Sequence, residues 1–118
     1  MGSPLVRSTA LAALLQVAMV VVGHYSPQIA GLFALGGTAI STAGGLLCAL
    51  WTGGAPSAAD DAKGGAIAGG LSALIGIAVS VALGDVPPAT LAYGTLFSAV
   101  GGTLGGVIGR AVRGRPQS

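Results

Sequence analysis

Few residues in this chain can carry chemistry. If the fold brings them together, His24 and Asp85 would form a hydrogen-bonded ion pair or a site responding to pH or a cation. The plainer reading is a pair of solvated turn residues, and one imidazole with one carboxylate is too little for a metal site. Asp60 and Asp61 stand side by side ahead of an apolar run. Two carboxylates can share acid–base work, but acidic residues before a helix also favour its positive N-terminal end, which explains them without catalysis. Thr38 and Thr42 share one helix face, as do Thr95 and Thr103, so the four are a candidate polar pathway lined by hydroxyls. A threonine in an apolar helix often bonds to the carbonyl one turn back instead. The glycine-rich segment 64–70 lacks a preceding strand and a Gly-Lys-Ser/Thr ending, which removes a phosphate-loop reading. A single cysteine, Cys48, cannot form an internal disulfide and reads as a packing residue. No nucleophile, base or metal cluster emerges, so the expectation is a non-enzymatic protein without catalytic, cofactor-binding or metal-binding residues.

The elements that must position these residues follow from composition. Only 7% of the 118 residues are charged and 53% are hydrophobic, and mean hydropathy is +0.86. Such a chain cannot cover itself with a polar surface, whereas a bilayer removes that need. Four apolar runs, at about 6–22, 28–51, 64–83 and 89–109, are each close to the roughly 20 residues a transmembrane helix requires. Two-residue alternation is absent, which argues against a β-barrel. Short turns holding Pro27 and Pro87–Pro88 join the runs pairwise, and residues 52–63 read as a central cytoplasmic loop. The first run, with Arg7 ahead of it, also resembles a signal peptide, but no convincing small-x-small cleavage site follows. Trp51, Tyr25 and Tyr93 sit where interfacial anchors belong.

Orientation follows from the five Lys and Arg residues. With four spans, Arg7, Lys63, Arg110, Arg113 and Arg115 all fall on the side of the termini and central loop. The positive-inside rule therefore places both termini in the cytoplasm of a cell with a bacterial-type inner membrane. The net charge of +2 lies in such membrane flanks and not on a basic stripe with aromatics, which excludes nucleic acid as a partner.

Shifting the chain by 61 positions superposes its halves, about 3–57 on 64–118. Gly23 meets Gly84, Pro27 meets Pro88, Thr42 meets Thr103, Gly44-Gly45 meets Gly105-Gly106 and Gly53 meets Gly114. His24 meets Asp85 by the same offset. The expected fold is an all-α membrane protein, a single domain of four transmembrane helices arranged as two parallel-repeat helical hairpins. Small residues recur every fourth position in the second span (Gly37, Ser41, Gly45) and in the fourth (Ser98, Gly102, Gly106), broadened by Gly101, Gly105 and Gly109. The third span has its own stripe, Ala68, Ser72, Gly76 and Ser80. Such stripes let helix backbones approach closely.

No Asp, Glu, Lys, Arg or His lies deep in any span, and Gln16 is the only strongly polar side chain in the first. This disfavours proton-driven export. The acidic residue of small multidrug exporters is missing from the first helix, as is the glycine–arginine pattern of fluoride channels. The leading expectation is a small structural or accessory membrane protein. It would pack through its glycine-rich faces into a homo-oligomer or a larger membrane complex, with the lipid bilayer as its surroundings. The alternative is a small channel or facilitator for a neutral solute or ion, lined by the second and fourth helices.

Overall fold

The computed structural model describes residues 3–52 and 57–113. Regular structure among them is helical throughout: α1 (Pro4–Tyr25), a single turn α2 (Pro27–Ala30), α3 (Phe33–Thr52), α4 (Ala58–Ala82) and α5 (Thr90–Arg113). All but α2 are long and apolar enough to cross a membrane. Residues 53–56, Arg115, the Arg113 side chain and the Gly53–Gly114 repeat pair lie outside what is described.

Local chemistry sets the helix ends. Ser3 caps α1, its hydroxyl accepting the Val6 N–H at 3.2 Å, and Pro4 occupies the first turn where its missing N–H costs nothing. Pro27 forces the preceding Ser26 into extended backbone (φ −133°, ψ 107°), which stops α1. The second run, expected as one helix over 28–51, is interrupted. Pro27 starts α2, Gly31 and Leu32 make a turn, and α3 begins only at Phe33. Glycine is the weakest helix former after proline, so the break falls there.

The central loop is shorter than the expected 52–63, because residues 58–63 are helical. Ser57 caps α4, accepting the Asp60 N–H at 3.2 Å and donating its hydroxyl to the Asp60 carboxylate. A serine followed three residues later by an acidic side chain approximates the capping-box signature, here with aspartate, so Asp60, Asp61 and Lys63 belong to the first turns of α4. The far end of α4 closes on a Schellman motif. Gly84 takes a left-handed φ of 78°, its N–H bonds to the Val81 carbonyl, and the Asp85 N–H bonds to the Ser80 carbonyl. Helix α5 continues to Arg113, beyond its expected end near 109, and so carries Arg110 on a helical frame.

The bundle is inside-out compared with a water-soluble one. Its buried side chains are Ala, Ser, Cys, Val, Thr, Gln and, near one end, Asp61, and the largest of those wholly buried are serines (Ser8, Ser41, Ser72, Ser80). Large apolar side chains point outward, Leu14 at 69% and Leu35 at 73% exposure. Helices α4 and α5 share the most extensive contact, followed by α3 with α5. Helix α1 rests on α3 and α4, which also touch each other, and no extensive contact joins α1 to α5. Gly23 is helical, whereas Gly84, 61 positions on, makes the turn.

Candidate functional site

Close approach of backbones governs the half of the bundle nearest the Thr52–Ser57 connection. A β-carbon on Gly45 would run into the Gly102 carbonyl, one on Gly102 into the Gly65 carbonyl, and one on Gly106 into the Asp61 carbonyl. Gly105 sits equally close to the Thr42 carbonyl, and a β-carbon on Gly109 would stand 2.8 Å from Ala49 Cβ. The small residues expected to serve packing thus close α3, α4 and α5 on one another within a single chain. Gly65 and Gly69 of α4, outside the expected small-residue stripes, are partners in this contact. Both lie in the glycine-rich segment 64–70, whose use is packing.

Two polar side-chain pairs tie the ends. Arg110 Nη1 lies 3.0 Å from Asp61 Oδ2, with the Asp61 side chain almost wholly buried and Arg110 one-third exposed. Asp61 was expected to act only on its own helix end, but it links α4 to α5. The extra turn of α5 brings Arg110 into reach. Arg7 stacks over Trp51 at 4.7 Å, joining α1 to α3 at the same end. At the opposite end His24 Nδ1 lies 2.8 Å from Asp85 Oδ2, bridging α1 to the α4–α5 turn. The Schellman motif fixes the position of Asp85. Among the described residues no group of three His, Cys, Asp or Glu gathers in one place.

A polar hub crosses the middle. Gln16 Nε2 donates to the Gly37 carbonyl and to Ser41 Oγ, both at 3.0 Å. Ser41 passes its own hydrogen to the Gly69 carbonyl at 3.0 Å, which also accepts from Ser72. Three helices are thereby joined by groups that are all buried. Ser41, expected as a small packing residue, acts through its hydroxyl. The signal for this hub was one amide in an otherwise apolar span, where an unsatisfied polar group is costly.

Toward the His24–Asp85 end the helices part. Gly36 and Gly37 of α3 lie against Met19 and Gln16 of α1, while Gly94 of α5 lies against Ile77 of α4. At Gly101 α5 lies close to α3, where a β-carbon would stand 2.9 Å from Thr42 Oγ1 and 3.3 Å from Thr38 Cγ2. The two helices frame a cavity of about 600 Å³ that takes in Thr42, Gly101 and Leu104 at one extreme and Val86 and Thr90 at the other. Gln16, Val20 and Ala73 form its back wall. Thr38 and Thr42 line one side and Ser98 and Gly101 the other, with Val86 and Thr90 near the top. Tyr93, Phe97, Val100 and Leu104 of α5 belong to the lining and keep exposed side chains, so the cavity is open along α5. The lining contains no charged side chain.

The expected threonine pathway is only half assembled. Thr38 and Thr42 border the cavity, but Thr42 donates to the Thr38 carbonyl at 2.9 Å. Thr103 donates to the Ala99 carbonyl at 2.8 Å and, like Thr95, is not part of the lining. The Thr95 hydroxyl is buried without a partner. Hydroxyls bonded within their own helix do not form a continuous polar track.

Comparison with protein-family models, curated proteins and solved structures returns no match to this chain.

Proposed function

We propose that this chain is a small non-enzymatic integral membrane protein that receives an uncharged, mainly apolar molecule sideways from the bilayer into the cavity between α3 and α5. The cavity carries this reading. It is charge-free, lies between helices of membrane-spanning length, has the size range of small-molecule sites and opens on a face of exposed apolar side chains. The inverted distribution of side chains supports a lipid surround, since large apolar groups turned outward gain nothing in water. Arg7, Lys63 and Arg110 at the connection end support a cytoplasmic position for that end and both termini. The cavity then faces the outer leaflet. The 61-residue offset between His24 and Asp85 supports descent from a duplicated hairpin.

Packing with copies through the glycine faces has less to stand on, because those faces are occupied within the chain. Passage of an ion right through the bundle meets the same closed half. The test is retention of a lipophilic molecule. Purified in mild detergent and analysed intact by native mass spectrometry, the wild-type protein is expected to carry one apolar adduct, which Thr38→Phe removes by filling the cavity. A protein free of adduct, together with steady ion flux in proteoliposomes, would overturn the proposal.

A further inference from the structure

Polar groups on the cavity wall include Ser80, whose hydroxyl is buried without a partner, and Gln16, whose amide is bonded through its nitrogen alone. Gln16 is 3% exposed, and both hydrogens of its amide are committed, to the Gly37 carbonyl and to Ser41 Oγ. This network fixes which end of the amide is which. The Gly37 carbonyl can only accept, and Ser41, having given its hydrogen to Gly69, can only accept as well. Gln16 Oε1 must therefore be the remaining atom. No donor among the described residues reaches it, and it is not among the polar atoms sealed from space without a partner. It is left open on the wall to which Gln16 contributes. Gly37 leaves room beside it, since a β-carbon there would stand 3.3 Å from Oε1.

From this oxygen we infer that the occupant is a long neutral molecule ending in a hydroxyl group, which it donates to Gln16 Oε1 while its chain fills the space toward Phe97 and Val100. An acceptor facing an apolar cavity is desolvated, and only a donor restores what it lost. A charged headgroup finds no counter-ion on the lining, and a pure hydrocarbon leaves the oxygen unmatched. Membrane quinols and long-chain or isoprenoid alcohols share the required chemistry.

The inference rests on the cavity being a binding site, and its test separates the two ideas. Three photoreactive probes of equal chain length, each with a mid-chain diazirine, are titrated into nanodiscs containing the protein: a primary alcohol, its methyl ether and the parent hydrocarbon. The alcohol is expected to reach half-saturation of labelling in α3 and α5 at a mole fraction about 3- to 10-fold lower than the ether, the worth of one neutral hydrogen bond. Gln16→Leu should erase that difference while the hydrocarbon still labels. The ligand comparison in the wild-type protein stands even if the variant fails to fold. Equal half-saturation by alcohol and ether overturns the hydroxyl assignment but leaves the cavity reading intact. No saturable labelling by any probe removes both. A quinol analogue and an isoprenoid alcohol as unlabelled competitors then distinguish the natural sources.

Discussion

Glycines in this chain serve two different physical needs, and substitution separates them. At Gly102 the requirement is space, because its α-carbon lies against the Gly65 backbone and a methyl group would force α5 off α4. Gly102→Ala is expected to cost about 1–3 kcal/mol, the range for overpacking a tight contact. At Gly84 the requirement is conformation. Nothing stands near its missing β-carbon, but φ is 78°, so Gly84→Ala is expected to cost only about 1 kcal/mol, the penalty for a left-handed residue. Equilibrium unfolding of the two variants in mixed micelles checks the ranking. Equal losses would mean that α4 and α5 do not meet backbone to backbone. Gln16 belongs to a third class, a residue whose worth is its two donated bonds across helices.

At the scale of elements, α4 is the spine of the molecule. It contacts α1, α3 and α5, and its early start at Ala58 supplies the turn from which Asp61 reaches Arg110. The cap at Ser57 holds that turn. Ser57→Ala is expected to destabilise the first turn of α4 by about 1 kcal/mol and to speed hydrogen exchange of the amides near 58–61 several-fold, with amides near Gly76 unchanged. Uniform acceleration along α4 would show that the cap supports the whole bundle. Helices α3 and α5 behave differently along their lengths. Gly101 and Gly105 of α5 face α3, whereas Gly36 of α3 faces Met19 of α1 and Gly94 of α5 faces Ile77 of α4. The cavity is the consequence of that change of neighbours.

On the scale of the whole molecule, the proposed orientation has a direct test. With Cys48 replaced by Ala, single cysteines at Ser57 and Pro87 are expected to react with a membrane-impermeant maleimide from opposite sides, Ser57→Cys only when the cytoplasmic face is opened. Reaction of both from one side would contradict a bundle of four crossings. The His24–Asp85 bridge ties α1 to the α4–α5 turn at one end, and the Arg7–Trp51 stack ties α1 to α3 at the other.

Composition and spacing already determined the number of long helices, the lack of buried charge at depth and the small-residue faces. These depend on local quantities: apolar run length, turn residues and a four-residue period. The pairing of His24 and Asp85 was legible as a shared offset of 61, with a hydrogen-bonded pair one of the two readings it allowed, and the structure brings them to 2.8 Å. The capping pattern at Ser57 and Asp60 was also present but overshadowed by the polarity of the segment around it. Tertiary structure alone decided which small faces meet, that Asp61 pairs with Arg110, and that α3 and α5 frame a cavity. A period assigns a residue to a face, but the identity of the opposing face depends on how all four helices share space. A cavity is what remains where that sharing fails to fill the volume, so no single stretch of sequence encodes it.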